Sequence, residues 1–342
     1  RYSSLKLINR TTVKNLTLAW SIELTAGAGG AGGRGRGGGA QVNVGGPGTL
    51  DFGDNEITIK GTPLMGGGTL YVSAPDHAWA IDARTGRPYW EYRRTLPENL
   101  TYGASAPVNR GFAILGERLF LVSQDAHLTA LDRRSGVVLW DVELADYRIG
   151  YAATLAPLVV EDKVIVGISG GEYPTRGFVD AYDPATGKRV WHFQGVHHGL
   201  WDYDFPAAPI LVDITVDGRR INAVAQVSKQ AFLYVLDRKT GMPVWPIEER
   251  AVPQSSAPGE KTAATQPFPT RPPAFDRQGL QDDDVIDFTP ELKAQALEVL
   301  KQFDRGPLFT PPSERGTVQL PGNVGGADWG GAGVDPTTAT LF

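Results

Sequence analysis

Four stretches of the 342-residue chain carry one pattern, and that repetition constrains the fold more than any other feature. They are residues 80–90, 130–140, 181–191 and 235–245. In each, an apolar residue precedes Asp, two variable residues follow, then Thr or Ser, then Gly, and a Trp stands four positions after the Gly. The four tryptophans, Trp90, Trp140, Trp191 and Trp245, recur about every 50 residues. Asp-x-x-Thr/Ser-Gly is turn chemistry: the carboxylate accepts from backbone amides ahead of it, and Gly supplies a positive φ. Apolar runs at 68–73, 117–122 and 162–167 add a second strand signal to each repeat. About four short strands per repeat is the unit of a propeller blade. A blade cannot bury both faces alone, so blades must stack. The expected fold is therefore all-β, a β-propeller, with each repeated Trp wedged between neighbouring blades.

Composition agrees. Gly (42) and Pro (25) make up about a fifth of the chain, normal for many strands and turns. There is no Cys, which excludes disulfides, thiolate metal sites, Cys-linked haem and Cys nucleophiles. A formal net charge of −5 argues against a nucleic-acid partner, and no apolar run is long enough for a membrane span. The opening at Arg1 and the close at Thr340-Leu341-Phe342, as a strand begins, read as cuts inside a longer protein. Residues 1–342 are expected to form one partial propeller domain. Residues 27–48 read as a Gly-rich surface loop; the two arginines within it, Arg34 and Arg36, are too few for an RNA-binding segment. Residues 246–318 read as a long inserted loop. It holds a helix near 290–303, capped by Thr289 with Pro290 in its first turn and an apolar stripe of Leu292, Ala296, Leu297 and Leu300.

Few polar residues stand out against the repeat. Asn109-Arg110-Gly111 precedes a strand, Ser169-Gly-Gly-Glu172 follows one, Asp202 and Asp204 follow His197-His198, and Lys229 lies before another strand. They come from successive blades at comparable positions, where propeller loops converge on the channel mouth. Taken singly, each has an ordinary reading: a solvated Glu, an Asp-x-Asp turn or weak cation site, an exposed Lys. Calcium needs six to eight oxygens, more than two carboxylates offer. His197-His198 lacks zinc spacing and Cys partners. The residues by themselves yield a propeller with a carboxylate-and-cation cluster at its mouth.

The repeat Ala-x-Asp-x-x-Thr-Gly-x-x-x-Trp resembles that of pyrroloquinoline-quinone (PQQ) dehydrogenases. The stretch 196–209 (Val-His-His-Gly-Leu-Trp-Asp-Tyr-Asp-Phe-Pro-Ala-Ala-Pro) resembles the branch containing membrane-type glucose dehydrogenases. So do residues 265–269, 309–314 and 321–325, and the opening from Arg1 to Trp20 is similar to the family's first strands. The resemblance implies an eight-bladed propeller, with PQQ in the funnel beside a metal ion. It makes Asp202 the catalytic base and Lys229 the cation on the quinone oxygens. Glu172 becomes a metal ligand, with Asp202 and Asp204 beside it. Arg110, Thr154, Ser169, Gly170, Gly171, Asp328 and Trp329 become cofactor contacts. An acid at the Asp204 position accompanies lanthanide use in alcohol-oxidising relatives, but the sugar branch carries it too. Ca²⁺ or Mg²⁺ is therefore expected ahead of a lanthanide.

The chain also departs from the family. Gln194 runs directly into Gly195-Val-His-His, where relatives have about one further blade bearing an Asn ligand and a Trp platform. The chain is expected to form an open arc of about five or six blades, with unpaired edges. Ala104-Ser105 replaces a pair of adjacent cysteines, as in the sugar branch, and Lys60 stands where relatives often carry a Glu contacting PQQ. The implied function is a quinoprotein oxidoreductase acting on a sugar or other alcohol or polyol. It is expected to be periplasmic or secreted and to pass electrons to a separate quinone or cytochrome; homo-oligomerisation is left open. The alternatives are a non-catalytic propeller scaffold of the same repeat and a degenerate quinoprotein without cofactor.

Overall fold

The computed structural model describes residues 6–24, 41–48, 59–100 and 107–342. Three blades each hold four antiparallel strands in simple up-and-down order, and the first gains a fifth, parallel strand. The first is built on Leu64–Gly66, Thr69–Ser73, His77–Asp82 and Pro88–Arg94. The second uses Ala113–Leu115, Arg118–Val122, His127–Asp132 and Val138–Glu143, and the third Leu158–Val160, Lys163–Gly167, Gly177–Tyr182 and Arg189–Val196. A fourth blade has three strands, Ile210–Val216, Arg219–Val227 and Leu233–Asp237. Its outer strand shrinks to the bridge Leu236–Pro243, because Pro243 and Pro246 bring no amide to a ladder. Val334–Asp335 pairs with Thr340–Leu341 as a further hairpin. Where five or six blades were expected, the described residues make three complete blades, a three-stranded fourth and two further hairpins.

The repeat does its work at the seams. Asp82, Asp132, Asp183 and Asp237 each accept from the amides two and three residues ahead, at 2.8–3.1 Å. Gly86, Gly136, Gly187 and Gly241 follow with φ between 71° and 74°. Three of the four tryptophans then dock on the turn of the next blade. Trp90 Nε1 donates to the Arg133 carbonyl at 3.0 Å, Trp140 to Pro184 at 3.2 Å and Trp191 to Arg238 at 3.3 Å. A Cβ on Gly136 would lie 2.5 Å from the Trp90 ring, one on Gly187 2.9 Å from Trp140, and one on Gly241 2.6 Å from Trp191. The same Gly therefore makes the turn and leaves room for the indole. Trp20 makes this contact with the first blade, donating to Ala83 at 3.1 Å. Trp245 is half-buried beside Val244 and Leu341.

The core lies between blades, where inner-strand Val, Ile, Leu and Ala pack against these indoles. Two loop expectations need revision. Within 27–48, residues Gln41–Gly45 form a strand parallel to Pro88–Arg94, and residues 27–40 lie outside the described residues, as do Ala104 and Ser105. Within 246–318, Ile247–Ala251 pairs with Thr265–Pro269, so the excursion carries its own hairpin. The helix spans Pro290–Leu300, and Thr289 Oγ1 accepts from the Leu292 amide as expected. Its apolar stripe is not buried; Leu292 is exposed, because the helix rests on the surface. The abrupt join at Gln194–Gly195 lies inside a continuous strand, where Gly195 is required: a Cβ would meet Phe205 at 2.5 Å.

Candidate active site

Loops from three blades meet in a cleft of about 860 Å³. Gly170 has φ 119°, and a Cβ there would strike the Gly150 carbonyl at 2.2 Å. Gly171 has Asp204 N and Tyr203 N within 2.9 Å of its virtual Cβ. This close approach lets the 202–204 backbone lie along the glycines: Asp202 N donates to Gly171 O at 2.9 Å, and Gly170 N donates to Asp204 Oδ2 at 3.1 Å. The family resemblance implies that both glycines contact the cofactor; in the structure they seat the two aspartates.

Asp202 adopts φ 59°, a costly conformation for a residue with a side chain, and one that recurs at functional sites. That turn brings Asp202 Oδ1 to 2.7 Å from Lys229 Nζ, while Asp204 Oδ1 lies 3.0 Å from the same ammonium. Carboxylate oxygens of Glu172, Asp202 and Asp204 all fall within 4.8 Å of one another. Asp204 and Lys229 are buried, Asp202 half-buried and Glu172 exposed. Burial and the Asp204 charge lift Asp202 to about 7, against the pull of Lys229. Burial pulls Lys229 down, but Asp204 and Asp202 more than offset it and hold the ammonium above its ordinary value. Three carboxyl groups gather around one lysine, an arrangement that favours a hard divalent cation.

Arg110 guards the other side. Asn109, fully buried, donates to the Val122 carbonyl at 2.8 Å and accepts from the Gly111 amide at 2.9 Å, which fixes the turn bearing the guanidinium. Arg110 Nη1 donates to Thr154 Oγ1, which lies 3.3 Å from Ser169 Oγ. The guanidinium also stacks on the Trp329 ring at 5.6 Å. Burial lowers the Arg110 pKa, with Asp328 and Asp204 opposing. Asp328 Oδ2 is buried and accepts no hydrogen bond, and burial raises that carboxyl despite Lys229. Lys60 lines the same cleft. Every residue assigned to the site from sequence is therefore in or beside this cleft, with Gly170 and Gly171 beneath it. The sequence left Asn109 without a role, although its Asn-Arg-Gly setting was visible, and it marked 309–314 and 321–325 as family-like without showing that they fasten residues 201–203.

The family described as "PQQ: Glucose/ethanol/alcohol dehydrogenase, beta-propeller domain" matches residues 1–189 and 178–342. The chain belongs to this family. Over 159 residues it is 40% identical to the quinoprotein glucose dehydrogenase of Escherichia coli (strain K12), covering 46% of this chain and 20% of that protein. Over 163 residues it is 35% identical to the quinate/shikimate dehydrogenase (quinone) of Acinetobacter baylyi (strain ATCC 33305 / BD413 / ADP1), covering 47% and 20%. The aligned stretch is about a fifth of the length of these relatives. A europium-containing methanol dehydrogenase superposes with TM-score 0.52 and 23% identity, over 99% of this chain and 65% of that one, and shares the fold. The PQQ-family blades thus include the three complete ones, and the cleft lies where their loops meet.

Proposed function

We propose that the chain carries the catalytic cleft of a PQQ-dependent dehydrogenase that oxidises a sugar or another alcohol or polyol. The observation that carries this reading is the convergence of Glu172, Asp202, Asp204 and Lys229 on one cleft that also holds Arg110. A purely structural propeller has no need for three carboxylates around one ammonium. The cleft also suits the cofactor: Arg110, Lys60 and Lys229 offer cations to an anionic ring system, and Thr154 and Ser169 offer hydroxyls. Its own amide and indole are Asn323 and Trp329.

PQQ, when bound, supplies two-electron acceptance from the substrate carbon. The remaining work belongs to this chain. Asp202 Oδ1, kept ionised by Lys229 and a cation, takes the proton of the substrate hydroxyl. Lys229 holds that carboxylate in place and presents positive charge where negative charge develops. Glu172, with Asp202 and Asp204, would hold the metal, whose Lewis acidity favours reduction. Asp204 already meets Lys229 and the Gly170 amide, so its charge is partly satisfied within the protein. That supports Ca²⁺ or Mg²⁺ over a lanthanide. A separate quinone or cytochrome as acceptor, and a periplasmic or secreted setting, belong to the same proposal.

The test is reduction of an artificial dye by the purified protein with PQQ and Ca²⁺, using glucose and ethanol as substrates. Reduction that needs both additions supports the reading; none with either substrate leaves the scaffold or a degenerate quinoprotein.

A further inference from the structure

Residues 307–326 carry two family-like motifs, Phe309-Thr-Pro-Pro-Ser-Glu314 and Pro321-Gly-Asn-Val-Gly325, of which only Asn323 and Val324 line the cleft. They touch the catalytic segment at four points. Trp201 Nε1 donates to the Thr310 carbonyl at 2.8 Å. Gln319 Nε2 donates to the Trp201 carbonyl at 2.9 Å. Tyr203 Oη donates to the Pro321 carbonyl at 2.6 Å. Phe309, 1% exposed, sets its ring edge-on to both Trp201 (5.2 Å, 71°) and Tyr203 (5.9 Å, 78°). These contacts grip the residues on either side of Asp202, whose φ of 59° would otherwise relax. Phe309 itself sits at φ 68°, so the strap is strained where it grips. The same strap then reaches Lys229: Gly326 N donates to the Lys229 carbonyl at 2.9 Å, and a Cβ on Gly325 would lie 2.4 Å from Lys229 Cβ.

We propose that this strap positions the cation site, with Phe309 and Gln319 as positioning residues that hold Asp202 toward Glu172, Asp204 and Lys229. Neither touches the carboxylates; both act through Trp201 and Tyr203. The inference rests on the cation site of the proposed function, and its test does not depend on turnover.

The experiment is a terbium titration of the full chain, read by luminescence sensitised by tryptophan, with Tb³⁺ as the only added ligand. Gln319→Met removes the donor and keeps the length; Phe309→Leu keeps apolar bulk and removes the ring. Each should weaken terbium binding about 10- to 100-fold, the usual cost of losing a group that orients a metal ligand. Glu172→Gln should weaken it as a ligand loss. Leu131→Ala, in the second blade's core, should lower Tm and leave terbium affinity unchanged, which separates positioning from general loosening. Equal affinity in wild type, Gln319→Met and Phe309→Leu overturns the strap while the dehydrogenase reading stands. No binding in wild type, or binding indifferent to Glu172→Gln, also overturns it, because no cation is then held there. Weakened binding in the variants, together with no dye reduction by wild type, sinks the dehydrogenase reading and leaves the strap.

Discussion

Lys229 Nζ lies 2.7 Å from Asp202 Oδ1, an ion pair joining residues from separate loops and opening into the cleft. The pair ties the candidate base to the only cation that also reaches Asp204 within 4 Å among the described residues. Asp202→Asn keeps the shape and removes the proton acceptor. Dye reduction should fall at least about 100-fold, the scale of a lost general base, with the fold intact by circular dichroism. Wild-type turnover in that variant would remove Asp202 from its role.

Stability should depend on pH through the same carboxyl. Its folded pKa is raised, to about 7, by burial and Asp204. A raised folded pKa favours folding fully below the unfolded value near 3.9, and the benefit is lost as pH rises through the folded one. Without added cation, Tm should fall between about pH 4 and pH 7. Asp202→Asn should flatten that slope, and millimolar Ca²⁺ at pH 7 should raise Tm in wild type alone. Differential scanning fluorimetry reads all three; a Tm indifferent to Ca²⁺ would argue against a cation beside Asp202.

The seams predict a contrast between two glycines. Gly136 has φ 73° and no room, since its Cβ would strike Trp90, while Gly116 has φ 56° and nothing within 4 Å. Gly116→Ala should cost about 1 kcal/mol from backbone conformation alone. Gly136→Ala should cost about 2–4 kcal/mol, because overpacking is added to strain. Urea midpoints measure the difference, and equal costs would mean that the indole is not locked into the turn.

A buried arginine joins the first two blades. Arg94 Nη2 lies 2.6 Å from Asp125 Oδ2, with both side chains nearly inaccessible, and Nη1 reaches Asp141 and Thr129. Arg94→Met should destabilise by about 3–5 kcal/mol, because Asp125 is left charged and buried. Adding Asp125→Leu should recover much of the loss, which a double-mutant cycle in urea would show.

The blade architecture was legible in the sequence because its cause is local. A carboxylate that caps its own turn, a Gly with positive φ and a Trp at fixed spacing all act within eleven residues, and their repetition exposes them. The resemblance also named Glu172, Asp202, Lys229 and Arg110, since each stands in a short distinctive string. What stayed hidden is long-range. No pattern in 306–326 announces that Gln319 grips the Trp201 carbonyl, 118 positions earlier. Nor does one show that Gln41–Gly45 pairs in parallel with Pro88–Arg94. The strand of the fourth blade lost to Pro243 and Pro246 and the surface position of the helix were equally out of reach. Residues close in the chain determined each turn and each blade; tertiary contact alone decided which loops meet, because burial and charge pairing depend on distances in space that local spacing does not encode.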